Sequence, residues 1–429
     1  VYVHTLGCSK NEVDSRALGR ALVGRGFQLV DSPEKAGALV INTCGFIQAA
    51  KEESLEAILS AAREWPDRPL VAVGCLVERY RRELAQGIPE VSGWFGVDEG
   101  DAVVRHLAKV CGLQISVGAE TSFRPSLSGS WAYLKISDGC SHRCSFCAIP
   151  LIKGPYRGAS AEAILSQADE VLAAGARELV LVGQDSALWR DGGMTLSALL
   201  LRLTEDPRVL RLRLMYLHPE HVDERLLESV AENPRVCRYL DIPFQHAAPG
   251  LLRRMGRTGS SRTYLDLIAR AHRMMPEVSL RSTFIVGFPG ETEEDFQELL
   301  RFVENAEFDH AGAFAFSAEE GTAAAEMRPR VPVRSAQRRL AALTGLLADV
   351  AEAGKRAWLG RRVDVLIDNS APTDAPEGVV AVGRTEGQAP EVDGVTYLVA
   401  ADSDVPRVGE LVEAVVTDVL GYDLLAELL

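Results

Sequence analysis

At 429 residues the chain exceeds what one ordinary hydrophobic core accommodates, and its 47% hydrophobic and 25% charged content is that of a soluble globular protein of two to four domains. No apolar run reaches the roughly 18 residues that span a bilayer and the N-terminus has no signal-peptide pattern, so the expected location is cytoplasmic, with no membrane partner. A net charge of −14 argues against a protein whose main task is gripping a phosphate backbone.

Residues 1–118 alternate short apolar runs with amphipathic stretches. Val1 to His4 reads as a strand before a helix near Asn11 to Arg25. Ala38 to Ile41 precedes a helix from about Phe46 to Arg63, and Leu70 to Val73 precedes one from Val77 to Ala85. Strand, helix, strand in this rhythm predicts an α/β domain on a parallel sheet. A cysteine follows each strand within about four residues: Cys8 in LGCSKN, Cys44 in NTCGF and Cys75 in GCL. Carboxyl ends of parallel strands line one edge of a sheet, so three thiols distant in sequence are expected to meet there. The bland alternative is three buried structural thiols.

Residues 119–130 have the Ser, Pro and Gly content of a linker. Between 131 and 357 come strands near Ala132–Ile136, Leu179–Val182, Leu212–Tyr216, Tyr239–Ile242, Thr283–Val286 and Ala313–Phe316, with helices between and a long one from Arg334 to about Trp358. Six such repeats predict a partial (β/α)6 barrel with its function at the carboxyl ends of the strands. The stretch GCSHRCSFCAIP follows the first strand and sets Cys140, Cys144 and Cys147 in the spacing C-x-x-x-C-x-x-C. One short loop can present three thiolates to one iron–sulfur cluster, leaving a fourth iron open, where an electron carrier normally has four cysteines. Zinc would need a fourth ligand, and His142 lies within the loop. A disulfide does not suit a reduced compartment. Cys111 and Cys237 fall outside both triads and read as small packed hydrophobes.

The other strand ends are richer in chemistry than packing requires. Gln184 and Asp185 follow the second strand, His218 the third, Gln245 and His246 the fourth, and GFPGET, with Gly287 and Gly290, the fifth. Glycines there allow close backbone approach to a ligand, and a helix starting near Thr292 offers free N–H groups. Gln184, Gln245, His246, Gly287 and Gly290, with Phe146 beside the last cysteine, are the expected cofactor contacts. Asp241 and His246 could equally be core polar groups paired internally.

Residues 358–429 form short alternating strands broken by turns, a pattern for a small antiparallel β-barrel. They hold four Arg and no Lys against fourteen Asp and Glu, a net charge of −10.

The cysteine loop, with Phe146 before its last cysteine, resembles the signature of radical S-adenosylmethionine (SAM) enzymes. The whole chain resembles their methylthiotransferase family: an N-terminal three-cysteine domain, a radical SAM barrel and a C-terminal barrel of the TRAM type. LGCSKNEVDS, NTCGFIQAAKEES, DGCSHRCSFCAIP, DIPFQH, IVGFPGETEEDF and FAFSAEEGTAA are similar to the branch that methylthiolates the β carbon of an aspartate in the twelfth protein of the small ribosomal subunit. The resemblance implies two [4Fe-4S] clusters, one on Cys8, Cys44 and Cys75 and one on the catalytic triad Cys140, Cys144 and Cys147. It also implies one SAM that methylates a cluster-held sulfur and a second cleaved to a 5′-deoxyadenosyl radical that takes hydrogen from carbon. An external electron donor and a sulfur donor are implied partners beside the basic ribosomal protein or assembled small subunit. One departure is PLIKGPYRGAS, where Gly158 and Ala159 replace the Ser-Arg common in the family. The neighbouring branch modifies an adenosine beside the tRNA anticodon. A different class, a non-catalytic RNA-binding protein with structural clusters, has no use for two triads that each lack a fourth ligand.

Overall fold

The computed structural model describes residues 1–113, 123–400 and 405–429; of the expected linker, residues 119–122 lie outside the described residues. Four parallel strands, β1 (Tyr2–Thr5), β2 (Leu39–Thr43), β3 (Leu70–Gly74) and β4 (Gly93–Phe95), form the first sheet in that order. The short β4 escaped the sequence reading, since GWF shows no period. LVINT and LVAVG are buried throughout, because helices cover both faces of a parallel sheet. Helix α1 (Ser9–Val23) packs Leu18 and Leu22 with α4 (Gly100–Val110) on one face, while Ile58 of α2 (Gln48–Glu64) and Leu84 of α3 (Cys75–Gly87) cover the other.

Helices on opposite faces require the chain to reverse its lateral direction if each crossover is right-handed. It does so through an extended segment at the outer edge of β1, where the Val1 amino group donates to the Gln28 carbonyl at 2.7 Å and Val30 N donates to the Val1 carbonyl at 3.0 Å. The reversal leaves a crevice between the carboxyl ends of β1 and β2, the switch point at which open α/β sheets bind ligands. Cys8 and Cys44 leave the sheet there.

The second domain lays six parallel strands in sequence order: β5 (Trp131–Lys135), β6 (Glu178–Val182), β7 (Arg211–Leu214), β8 (Tyr239–Asp241), β9 (Ser279–Val286) and β10 (His310–Ala315). A bridge between Leu212 and Val236 joins the two three-stranded halves, and β5 and β10 form no pair in the described residues. The partial barrel is as expected, with a largest core of Leu, Ile, Val and Phe between strands and outer helices.

The C-terminal strands β11 (Arg362–Asn369), β12 (Val379–Arg384), β13 (Thr396–Val399), β14 (Leu411–Leu420) and β15 (Asp423–Leu428) close into a barrel of order β11-β12-β13-β15-β14. Four of its pairs are antiparallel and one, β13 with β15, is parallel. Five strands cannot alternate direction around a closed ring, so one like-directed pair is unavoidable.

This small barrel seats against the amino ends of the core strands. Its Arg384 donates to Glu178, first residue of β6, at 2.8 Å; Tyr239, first of β8, donates to Asp393 at 2.7 Å; and His310, first of β10, lies 2.8 Å from the Gly387 carbonyl. Ala389 packs among Val180, Met215 and Tyr239, filling the barrel interior from that end. Core residues Arg281 and Arg238 pair with Asp393 and Glu386 of this domain, so its outward charge is less negative than its composition suggests.

Candidate active site

The cysteine loop leaves the carboxyl end of β5 and is held from three sides. Cys140 N donates to the Gly154 carbonyl at 3.1 Å, Ser145 N to the Met255 carbonyl at 2.8 Å, and Ala324 N to the Ser145 carbonyl at 2.8 Å. Gly139, at φ +71°, and Gly256, at φ +72°, are required here: a Cβ would fall 2.2 Å from the Pro155 oxygen and 2.3 Å from the Arg143 oxygen respectively. Burial pushes the Cys147 thiol up to about 12, and the charges of Cys144 and Cys140 push the same way. Burial also raises Cys144, opposed by the buried Arg257 beside it.

The turns that carry Cys8, Cys44 and Cys75 come together at the switch point. A Cβ on Gly7 would lie 2.8 Å from Cys44 Sγ, and one on Gly45 would lie 2.9 Å from the carbonyl carbon of Cys75, so the three turns touch. Asn11, 2% exposed, ties them together: its amide donates to the carbonyls of Leu6 (2.8 Å) and Thr43 (3.1 Å), and Cys75 Sγ lies 3.9 Å from its Oδ1. Cys75 opens α3, a place that favours a thiolate, yet burial pushes it up to about 12, with Lys153 opposing and Cys44 and Cys8 adding. Cys44 and Cys75 are buried and Cys8 is exposed.

The triads are neighbours. Cys75 packs against Ala148 and Ile152, in the segment directly after Cys147. Lys153, next in that segment, bonds Asp14 of α1 at 2.9 Å and Asp138 at 3.3 Å, with Lys135 2.8 Å from Asp138. Burial opposes the Asp138 charge, but Lys135 and Lys153 outweigh it and hold the carboxyl at about 2. On the other flank Glu319 bonds Lys51 of α2 at 2.8 Å and Arg79 of α3 at 3.2 Å.

Several sequence expectations need correction. His246 is fully buried and has partners within the protein: Ala248 N donates to its Nδ1 at 3.1 Å and its Nε2 lies 3.4 Å from Glu291. Glu291 also bonds Arg339 at 2.9 Å and accepts from Gly287 N, so the glutamate of GFPGE is an internal hub. Gly287 and Gly290 allow close packing within the protein, since a Cβ on either would meet Ala336 at 2.5 Å or the Arg254 guanidinium at 2.7 Å. The helix after Thr292 does not offer a free anion site: Thr292 and Asp295 cap it reciprocally, and Glu293 and Glu294 sit in its first turn. Asp241 is the paired core group weighed as the alternative, accepting from Tyr216 N and Arg281 at 3.0 Å each.

Of the other expected contacts, Phe146 and Gln184 stand at the loop. Phe146 is half-buried against the main core. Gln184 donates to Asp138 at 3.3 Å, while its Oε1 is buried without a partner, as are Ser137 Oγ, Tyr156 OH and Arg257 Nε. Gln245 holds φ +69°, locked by backbone bonds to Thr283 and Ile285 at 2.8 Å. Gly158 pairs with Ser137 and Ala159 N donates to the Ile136 carbonyl at 2.8 Å, so the departing PLIKGPYRGAS segment is backbone-anchored beside the loop. Cys237 is buried among Met215 and Tyr239, and Cys111 is half-buried.

The sequence reading missed Asn11, Lys153, Arg257 and His221. His142, Asp185, His218 and His221 bring one ligand atom each within 4.8 Å of one another. The His142 and His218 rings stack at 4.2 Å and 10°, and an ion lying in the plane of one ring cannot lie in the parallel plane of the other. The group is instead a hydrogen-bonded array on Asp185, with His142 at 2.8 Å and His221 at 2.6 Å. Burial, then Arg257 and His142, push His218 down to about 3, so it is neutral at physiological pH. PEH after LHP was the available signal for His221, masked because its strand ends earlier.

The Radical SAM superfamily matches residues 134–303, the Uncharacterized protein family UPF0004 residues 1–96 and the TRAM domain residues 359–429. The ribosomal protein uS12 methylthiotransferase RimO of Thermodesulfovibrio yellowstonii is 41% identical over 98% of this chain and 98% of its own length. The protein of the same name from Anaeromyxobacter sp. (strain K) is 41% identical over 99% and 92%. This chain belongs to the RimO methylthiotransferase family. Among solved structures, the fold is similar to the radical SAM methyltransferase TsrM from Kitasatospora setae (TM-score 0.56, 15% identity, 73% of this chain and 72% of that one). It is also similar to the cobalamin-dependent radical enzyme OxsB (TM-score 0.52, 15% identity, 80% and 55%).

A RimO-family enzyme uses SAM and an iron–sulfur cluster, and the residues here fit both. Burial raises all three thiols of the loop, and neighbouring cysteines add to the rise at Cys140 and Cys147, so a cationic centre that replaces their protons suits them. SAM carries an amine, a carboxylate and ribose hydroxyls, for which the unpartnered atoms of Ser137, Tyr156, Gln184 and Arg257 offer donors and acceptors. Among the described residues no helix is long and apolar enough to cross a membrane.

Proposed function

We propose that this enzyme methylthiolates the β carbon of an aspartate in ribosomal protein uS12 with two [4Fe-4S] clusters, one on Cys140, Cys144 and Cys147 and one on Cys8, Cys44 and Cys75. The observation that carries the reading is the packing of Cys75 on Ala148 and Ile152, which puts an N-terminal triad beside the radical SAM loop. When bound, the clusters and SAM supply one-electron reductive cleavage, a sulfur and a methyl group. The protein supplies placement. Arg257 and Lys153 set one positive charge beside each triad. The Lys51–Glu319–Arg79 and Asp14–Lys153–Asp138 junctions hold the two domains in one arrangement. Ala389 and its loop close the barrel's far end, so water and substrate enter from the cysteine side.

Domain limits of 1–118, 131–357 and 358–429 suit these units. The small barrel, seated opposite the cysteine loop, is suited to anchoring a basic protein rather than lining the site, by charge complementarity. An external electron donor and a sulfur donor complete the reaction.

Three preparations test this. Replacing Cys140, Cys144 and Cys147 by Ala should leave about half the iron, since two sites of equal size are expected. Replacing Cys8, Cys44 and Cys75 should preserve 5′-deoxyadenosine formation and abolish methylthio product. Competing uS12 or small subunits against bulk tRNA should label the protein by mass; label on tRNA adenosine alone refutes the substrate.

A further inference from the structure

We infer that Tyr216 is a positioning residue that sets the Cys8 loop against the radical SAM core, an inference that rests on the two-triad reading. Tyr216 follows β7 with φ +61°, a left-handed conformation rare for a bulky side chain. The surroundings enforce it: Tyr216 N donates to Asp241 Oδ2 at 3.0 Å, and the Tyr216 carbonyl accepts from Ser186 N at 3.0 Å. Asp241 is itself fully buried and fixed by Arg281 at 3.0 Å, so the backbone of Tyr216 cannot relax toward the β region without breaking a buried pair. Strain held in this way clusters at functional sites.

The turned backbone directs the side chain across the domain boundary. Its hydroxyl lies 3.2 Å from Ser9 Oγ, and the Lys10 ammonium stands 3.3 Å from its ring centroid. Ser9 and Lys10 are the two residues after Cys8. The other two ligands are held otherwise. Cys44 is clamped by Ser54, which accepts from its N–H at 3.0 Å and donates to its carbonyl at 2.9 Å, and Cys75 is packed against Ala148 and Ile152. Cys8 is the exposed member of its triad. Asn11 ties its loop to the N-terminal domain, and Tyr216 ties the same loop to the core. A polar tip and a cation-binding face let one ring hold two consecutive residues at once. The side chain acts through the loop and touches no reacting atom.

The test compares Tyr216→Phe and Tyr216→Leu in the full chain, with hydrogen exchange of residues 6–12 in the cluster-free protein as a readout independent of turnover. Tyr216→Leu, which loses both contacts, should speed exchange there at least about tenfold, and Tyr216→Phe, which keeps the ring under Lys10, by less. After reconstitution both variants should carry wild-type iron, and Tyr216→Leu should yield far less methylthio product per 5′-deoxyadenosine formed. Unchanged exchange at residues 6–12, or product and 5′-deoxyadenosine falling in step, would overturn the assignment. If Tyr216→Leu does not fold, Ser9→Ala combined with Lys10→Met removes the same two contacts from the other side and must give the same uncoupling. Failure of the two-triad reading is distinguishable: the Cys8, Cys44, Cys75 triple variant would then keep making product, whatever the exchange result.

Discussion

Glu319→Gln removes one charge from a buried inter-domain junction while keeping its shape. The carboxylate is 3% exposed and receives Lys51 at 2.8 Å, Arg79 at 3.2 Å and Ser317 at 2.7 Å. Burial opposes its charge, but the hydrogen bonds of Lys51 and Ser317 outweigh that and hold its pKa below the ordinary value of 4.5. The amide cannot satisfy two cations. Removing one partner of a buried pair costs about 3–5 kcal/mol. Lys51 can turn toward solvent, and Arg79 keeps its 2.7 Å bond to the Glu320 carbonyl, so the lower end, about 3 kcal/mol, is expected. A double-mutant cycle with Lys51→Met, read from the first urea transition by fluorescence, should give a coupling of about 1.5–3 kcal/mol at pH 7. The folded pKa is depressed, so the stabilisation is present above 4.5 and lost as pH falls through the lower folded value. Wild type and Glu319→Gln should therefore converge in acid. A coupling below about 0.5 kcal/mol, or a gap between the two proteins that ignores pH, would refute the lock.

Two further outcomes follow from single residues. Burial, then the charge of Glu391, push Glu12 up to about 7 from 4.5, so its folded form favours the proton and stability falls as pH rises through that value. Glu12→Gln should be nearly neutral at about pH 3.5, below the unfolded value, and stabilising at pH 8.5 by at most about 3 kcal/mol, less for partial exposure; a pH-independent thermal midpoint difference would contradict this. Gly139→Ala would place a methyl 2.2 Å from the Pro155 oxygen at φ +71° and should distort the Cys140 loop alone. Iron counting should find about half the wild-type content, with 5′-deoxyadenosine formation lost.

Legibility followed the range of the constraint. Cys140, Cys144 and Cys147 could be read directly because eight residues of chain hold them within one loop. Cys8, Cys44 and Cys75 could be placed together because each follows a strand of the first sheet, and parallel strands end along a common edge. His246 misled for the opposite reason. DIPFQH places it at a strand end, but whether a side chain there faces the mouth or the core depends on what lies behind it. Here that is Glu291 on a different strand-end turn, with Arg339 from the long C-terminal helix. Gly287 and Gly290 were read as openings for a ligand, and Ala336 and Arg254 occupy those openings.

Cysteine spacing, strand–helix alternation and alternating apolarity in the tail by themselves determined the three-part fold and set six cysteines at strand ends or in one loop, because each depends on backbone period or a short covalent tether. Tertiary structure alone decided that Cys75 packs on Ala148 and Ile152, that His221 joins His142 on Asp185, and that Tyr216 reaches Ser9 and Lys10. Those contacts join residues distant in the chain or in different domains, and a buried polar group must take whatever partner the closed fold brings within about 3 Å of it.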